Sequence, residues 1–216
     1  LKDLFIKERR NIINELLQDK LDKFSSTFQE LYSEGKMPIS QLQEIGLEVP
    51  EEFKIVAEYT LSKAFNSTII ESIKVLNEDT VQKALDIKSE AEKIGAKLHK
   101  KPSKEIFTEK ITRNMNLLAE NPEIQQAHKT LNILTVAKQL NIDPLIKEAQ
   151  NIYFNKIFSQ IPDLLKHLWN SGNLKQDKKF IGYLLNIGEM LDINVEKFYS
   201  ELNRIMPPAN TIIKDL

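Results

Sequence analysis

Apolar residues recur at three- and four-residue spacing almost throughout the chain, and no stretch shows the two-residue alternation between turn signals that marks a strand. The pattern predicts helices only, at about 4–34, 38–45, 50–76, 79–94, 103–119, 122–140, 144–170, 177–190 and 194–206. In the first of these, Phe5, Ile12, Leu16, Phe24, Phe28 and Leu31 form the stripe expected to bury against a neighbour, with Asp19 a candidate break. Pro38, Pro50, Pro102, Pro122 and Pro144 stand at or beside predicted helix starts, where a missing N–H costs nothing. Gly35, Gly46, Gly95 and Gly172 stand just past predicted ends, where left-handed backbone is easiest for glycine. A kink or restart is expected at Pro162, and Pro207-Pro208 makes 207–216 an irregular tail.

Four junctions resemble one another: Ile45-Gly46-Leu47, Ile94-Gly95-Ala96, Leu140-Asn141-Ile142 and Leu191-Asp192-Ile193. Their central residues are 49, 46 and 51 apart, close to the period of two-helix solenoid units in which each hairpin buries its apolar face on the next. The expected architecture is therefore all-α, a solenoid-like stack of helical hairpins with about nine helices in one domain over 1–206. An irregular helical bundle is the alternative.

Composition narrows the class without naming a function. Hydrophobic residues make up 41% and charged residues 28%, values of a chain that folds by itself. Thirty basic residues against thirty-one acidic ones leave a net charge of −1, so no global field draws the chain to nucleic acid or an anionic membrane. No apolar run reaches the roughly 18–20 residues of a membrane-spanning helix. The absence of cysteine rules out disulfides and thiolate metal sites, and with no signal-peptide pattern the expected location is cytoplasmic. The start at Leu1-Lys2-Asp3 rather than methionine suggests a piece of a longer polypeptide.

A search for chemistry yields no catalytic, cofactor-binding or metal-ligating candidate. His99, His128 and His167 have no partners at metal-ligand spacing, and there is no serine elbow or glycine-rich phosphate loop. Glu51 and Glu52 read as first-turn acids favoured by the helix dipole. Two polar residues stand out by their apolar surroundings. Gln150 sits on the stripe of Ile146, Tyr153, Phe154 and Ile157, and as a buried amide it should hydrogen-bond another element, such as a loop backbone. Glu58 flanks the apolar stripe of Phe53–Leu61 and needs a basic or hydrogen-bonding partner where buried. The basic stretch Lys97–Lys104 lacks interleaved aromatics and reads as a solvated loop, as do Lys175, Lys178 and Lys179. Trp169 is expected to pack beneath the Ser171-Gly172-Asn173 turn, and Gly182 and Gly188 to allow close helix contact.

Two stretches carry a family resemblance: Val49-Pro50-Glu51-Glu52-Phe53 running to Ala57-Glu58-Tyr59-Thr60-Leu61, and Glu148-Ala149-Gln150-Asn151-Ile152-Tyr153-Phe154. They resemble the helical C-terminal region of proteins similar to the α-amylase/α-mannosidase group of glycoside hydrolase family 57, although Ser62 stands where that pattern has asparagine. The resemblance implies a parent enzyme whose catalytic carboxylates lie upstream in an incomplete β/α barrel outside this chain. In that case the helical domain is a non-catalytic accessory, packing against the barrel or oligomerising it, and the partner is the upstream catalytic domain. Glu58, Gln150 and Asn151, which fall in the matching stretches, are then candidate buried-polar anchors between elements. The alternative function is a stand-alone helical-repeat scaffold that binds a protein partner. The sequence is silent on oligomeric state and on any ligand.

Overall fold

In a computed structural model of the chain, residues 2–74, 78–168 and 174–205 are described, and every regular element among them is helical. The chain divides into two compact units, 1–100 and 101–216, where the sequence pattern suggests one domain over 1–206. Trp169, Gly172 and the tail from Pro207 lie outside the described residues.

Unit 1 contains α1 (Lys2–Glu44), α2 (Glu51–Lys74) and α3 (Glu78–Ile94). The segments expected at 4–34 and 38–45 form one helix, without a break at Asp19 and with Gly35 and Pro38 inside it. Gly35 serves close approach rather than termination: a Cβ there would lie 2.3 Å from the Phe53 ring. An interior proline costs about 3 kcal/mol. Ile39 and Leu42 lie beyond it and join a cluster with Val49, Ala57, Leu61, Ala91, Ile94 and Ala96, where burying one aliphatic side chain returns about 2–3 kcal/mol. The core therefore holds the helix together across Pro38. The buried face of α1 also differs from the expected stripe. Ser25, Tyr32 and Ile39 are buried, Phe28 is half-buried, and Phe24 and Leu31 are exposed.

Unit 2 begins with the hairpin of α4 (Lys101–Glu120) and α5 (Ile124–Gln139). The next segment is interrupted: α6 (Lys147–Ile152) passes through a π-helical turn (Tyr153–Ile157) and a 3-10 turn (Phe158–Gln160) into α7 (Ile161–Leu168). The restart falls beside Pro162, where a helix tolerates proline best. The wide π turn carries Tyr153 into the core and leaves Phe154 exposed, so the predicted stripe splits at that point. α8 (Leu174–Met190) and α9 (Glu196–Ile205) complete the unit. α4 packs on α6 and α5 on α8, so the two hairpins of this unit stack helix for helix around Phe107, Ile111, Met115, Ile133 and Leu185.

The four junctions share one backbone geometry. Gly46, Gly95, Asn141 and Asp192 have φ of 76°, 77°, 51° and 57°. At each, the residue after the left-handed one donates its N–H to a carbonyl five residues back: Leu47 to Leu42, Ala96 to Ala91, Ile142 to Ala137 and Ile193 to Gly188, all at 2.9 Å. The left-handed residue donates three residues back, completing the Schellman cap that closes a helix end. Glycine serves this turn twice in unit 1; asparagine and aspartate, the side chains most tolerant of the conformation, serve it in unit 2.

Candidate functional site

At the turns of Gly95, Asn141 and Asp192, backbone groups freed at the helix end need partners, and side chains from the first helix of the hairpin supply them. In unit 1, Glu58, Ser62 and Asn66 stand four residues apart on one face of α2. Glu58 Oε1 accepts the Lys97 N–H at 2.9 Å, Ser62 Oγ accepts the His99 N–H at 2.9 Å, and Asn66 Nδ2 donates to the His99 carbonyl at 2.8 Å. Of the stretch Lys97–Lys104 that reads as a solvated basic loop, the part through His99 is thus a tethered strap with Lys97 exposed, and the part from Lys101 opens α4. His99 Nε2 also approaches Glu58 Oε2 at 3.8 Å, and Lys100 Nζ lies 5.5 Å from the centre of the Phe65 ring.

In unit 2, Thr108 Oγ1 accepts the Leu145 N–H at 2.9 Å, and Gln150 Nε2 donates to the Leu191 carbonyl at 2.8 Å. Gln150 thus bonds a junction backbone, but it is half-buried rather than buried. Asn151 is exposed, which corrects its place among the buried-polar candidates: one residue past Gln150, its side chain points about 100° away around the helix. Gly188 sits where a Cβ would come within 2.5 Å of Tyr153 Oη, a close contact of the expected kind, whereas Gly182 faces open space.

Polar clusters missed by the sequence reading join residues distant along the chain. Tyr32 Oη donates to Glu90 Oε1 at 2.6 Å, and Lys36 forms an ion pair with the same oxygen. Burial, reinforced by the Glu90 carboxylate, pushes the Tyr32 hydroxyl far above its usual pKa. Burial alone would raise Glu90, but the hydrogen bonds from Lys36 and Tyr32 outweigh it and hold the carboxyl below its usual range. Tyr199, bonded to Asn186, is pushed up to about 12 by burial and by Glu189. Only the Tyr32-to-Lys36 spacing, one helical turn, hinted at any of this in sequence.

A groove of about 820 Å³ runs along the exposed face of α4, closed at one side by the start of α6. Leu117 and Leu145, exposed by 44% and 67%, give it an apolar floor. Lys101, Lys104 and Arg113 alternate along it with Glu105, Glu109 and Glu148, so it carries no single sign of charge. Thr112, whose buried hydroxyl has no hydrogen-bond partner, also lines it. From Lys101 to Leu117 the groove runs about 24 Å, enough for an extended segment of roughly seven residues. Nothing in it pairs a nucleophile with a base, and among the described residues no three His, Cys, Asp or Glu side chains converge to hold a metal ion. No described helix is long and apolar enough to cross a membrane. No family model, curated protein or solved structure matches this chain.

Proposed function

We propose that this chain is a non-catalytic helical scaffold that binds a protein partner by holding a short segment of it along the α4 groove. The observation that supports this reading is the groove itself: an apolar floor at Leu117 and Leu145 between rows of both charges, the composition suited to a peptide rather than to a polyanion or a small metabolite. The resemblance to glycoside hydrolase family 57 would make the partner a catalytic domain of the same polypeptide, with this chain as its accessory; that version rests on the quoted residues alone.

A photo-crosslinking residue in place of Asn116, on the groove wall, tests the proposal in source-cell extract. The expected product is a crosslink to one partner, lost when Leu117→Glu and Leu145→Glu are added without change in melting. A partner on a separate polypeptide favours the scaffold. A crosslink inside a larger polypeptide carrying this chain favours the accessory. No specific crosslink would overturn both.

A further inference from the structure

The α4 side of the groove consists of two adjacent rows, each taking every fourth residue of the helix. Lys101, Glu105, Glu109, Arg113 and Leu117 form an exposed row, and Lys104, Thr108, Thr112 and Asn116 a half-buried one beside it. The opposite wall is the segment that leads into α6. Asp143 lies 3.8 Å from Lys104 and the Leu145 N–H meets Thr108, so this segment runs in the same direction as α4 and brings Glu148 in further along. The exposed row reads basic, acidic, acidic, basic, apolar. Lys101 and Glu105, and likewise Glu109 and Arg113, stand one turn apart, the spacing of helical ion pairs. Among the described residues, however, neither these four nor Glu148 makes an ion pair. In the half-buried row Thr108 is fully used, bonding the Lys104 carbonyl and the Leu145 N–H. The Thr112 hydroxyl and the Asn116 amide make no hydrogen bond among the described residues.

Successive members of the exposed row advance about 6 Å along the helix axis. Alternate side chains on one face of an extended chain advance about 6.8 Å, so an extended segment stays in step with the whole row to within about 3 Å. Its backbone N–H and C=O groups also need partners, which Thr112 and Asn116 can give; a helix satisfies its own backbone and leaves both unpaired. Resting on the reading that this groove holds a partner segment, we infer that the segment is extended, lies parallel to α4 and carries acidic, basic, basic, acidic and apolar side chains at alternate positions. The four charged side chains meet Lys101, Glu105, Glu109 and Arg113 in turn, and the apolar one meets Leu117. Glu148 adds a carboxylate on the other wall for the basic positions. The order of charges reads the same from either end, so Leu117 sets the direction.

The test uses the 216-residue chain and two labelled nine-residue peptides of identical composition. One has glutamate, lysine, lysine, glutamate and leucine at alternate positions with threonine between them; in the other, glutamate and lysine change places. Fluorescence anisotropy should show the first bound about fivefold tighter or more, the scale of a few exposed ion pairs. Lys101→Glu, Glu105→Lys, Glu109→Lys and Arg113→Glu together should reverse the preference while circular dichroism and melting stay native. Glu105→Lys with Glu109→Lys, which should abolish it, serves if the fourfold variant fails to fold. Equal affinity for the two peptides, a preference that survives these substitutions, or a helical spectrum for the bound peptide would overturn the inference. A partner crosslinked at Asn116 in extract while neither peptide binds would overturn it too, and would leave the partner-binding reading of the groove standing.

Discussion

Each unit sets one glycine inside a helix against an aromatic ring, and the two differ in what stands opposite. In unit 1 a Cβ on Gly35 would strike the Phe53 ring at 2.3 Å, but Phe53 is half-exposed and can turn away. In unit 2 a Cβ on Gly188 would meet Tyr153 Oη at 2.5 Å and Val195 Cγ1 at 2.8 Å, and both of those side chains are buried. Tyr153 is also pinned by its hydrogen bond to the Leu184 carbonyl at 2.9 Å. The same contact is therefore compliant in one unit and rigid in the other, because a tightly packed core cannot absorb an added methyl without strain.

The largest expected effect tests that contrast. Gly188→Ala should destabilise unit 2 by about 1–3 kcal/mol in chemical denaturation. Gly35→Ala should fall within about 1 kcal/mol of the parent, since the helix-propensity gain offsets the ring displacement. Adding Tyr153→Phe to Gly188→Ala should relieve part of the cost; full additivity of the two would mean that the hydroxyl is not the obstacle.

A smaller effect compares the tethers. Three α2 side chains hold the strap after α3 in unit 1, whereas Gln150 alone reaches the Leu191 carbonyl in unit 2. Gln150→Leu should cost about 1 kcal/mol in melting experiments, and the neighbouring exposed Asn151→Ala less than about 0.5. Equal costs for the two would remove the distinction between a tether and a surface amide.

The smallest effect separates the units by pH. Because Glu90 is held below its usual pKa of 4.5 in the fold, its contribution is full above that value and is lost as pH falls through the folded value. Tyr32 has the opposite sign. Its raised pKa gives a contribution that is full below 10 and declines as pH rises further. Tyr32→Phe should therefore flatten the acid loss of unit 1 by less than about 1 kcal/mol, and an unchanged profile would show that Lys36 alone holds Glu90 down.

Much of the local architecture was legible from residue types. Gly95 and Asn141 mark their turns because few residues accept positive φ, and Pro162 marks a restart because proline suits only a first helical turn. Gly35 and Pro38 misled for the same reason: their local preference is to end a helix, and only Ile39 and Leu42 reaching a core built from residues up to Ala96 overrides it. Gln150 stood out as a polar residue on an apolar stripe, but its partner lies 41 residues away and no local pattern points there.

The sequence by itself determined that this protein is helical and where four of its helices stop, since spacing and φ tolerance act within a few residues. Tertiary structure alone decided the division at Lys100, which apolar residues stay exposed on α1 and α4, and how Tyr32, Lys36 and Glu90 meet. Those outcomes depend on which helix lies opposite which, and burial is a property of the pair rather than of either helix.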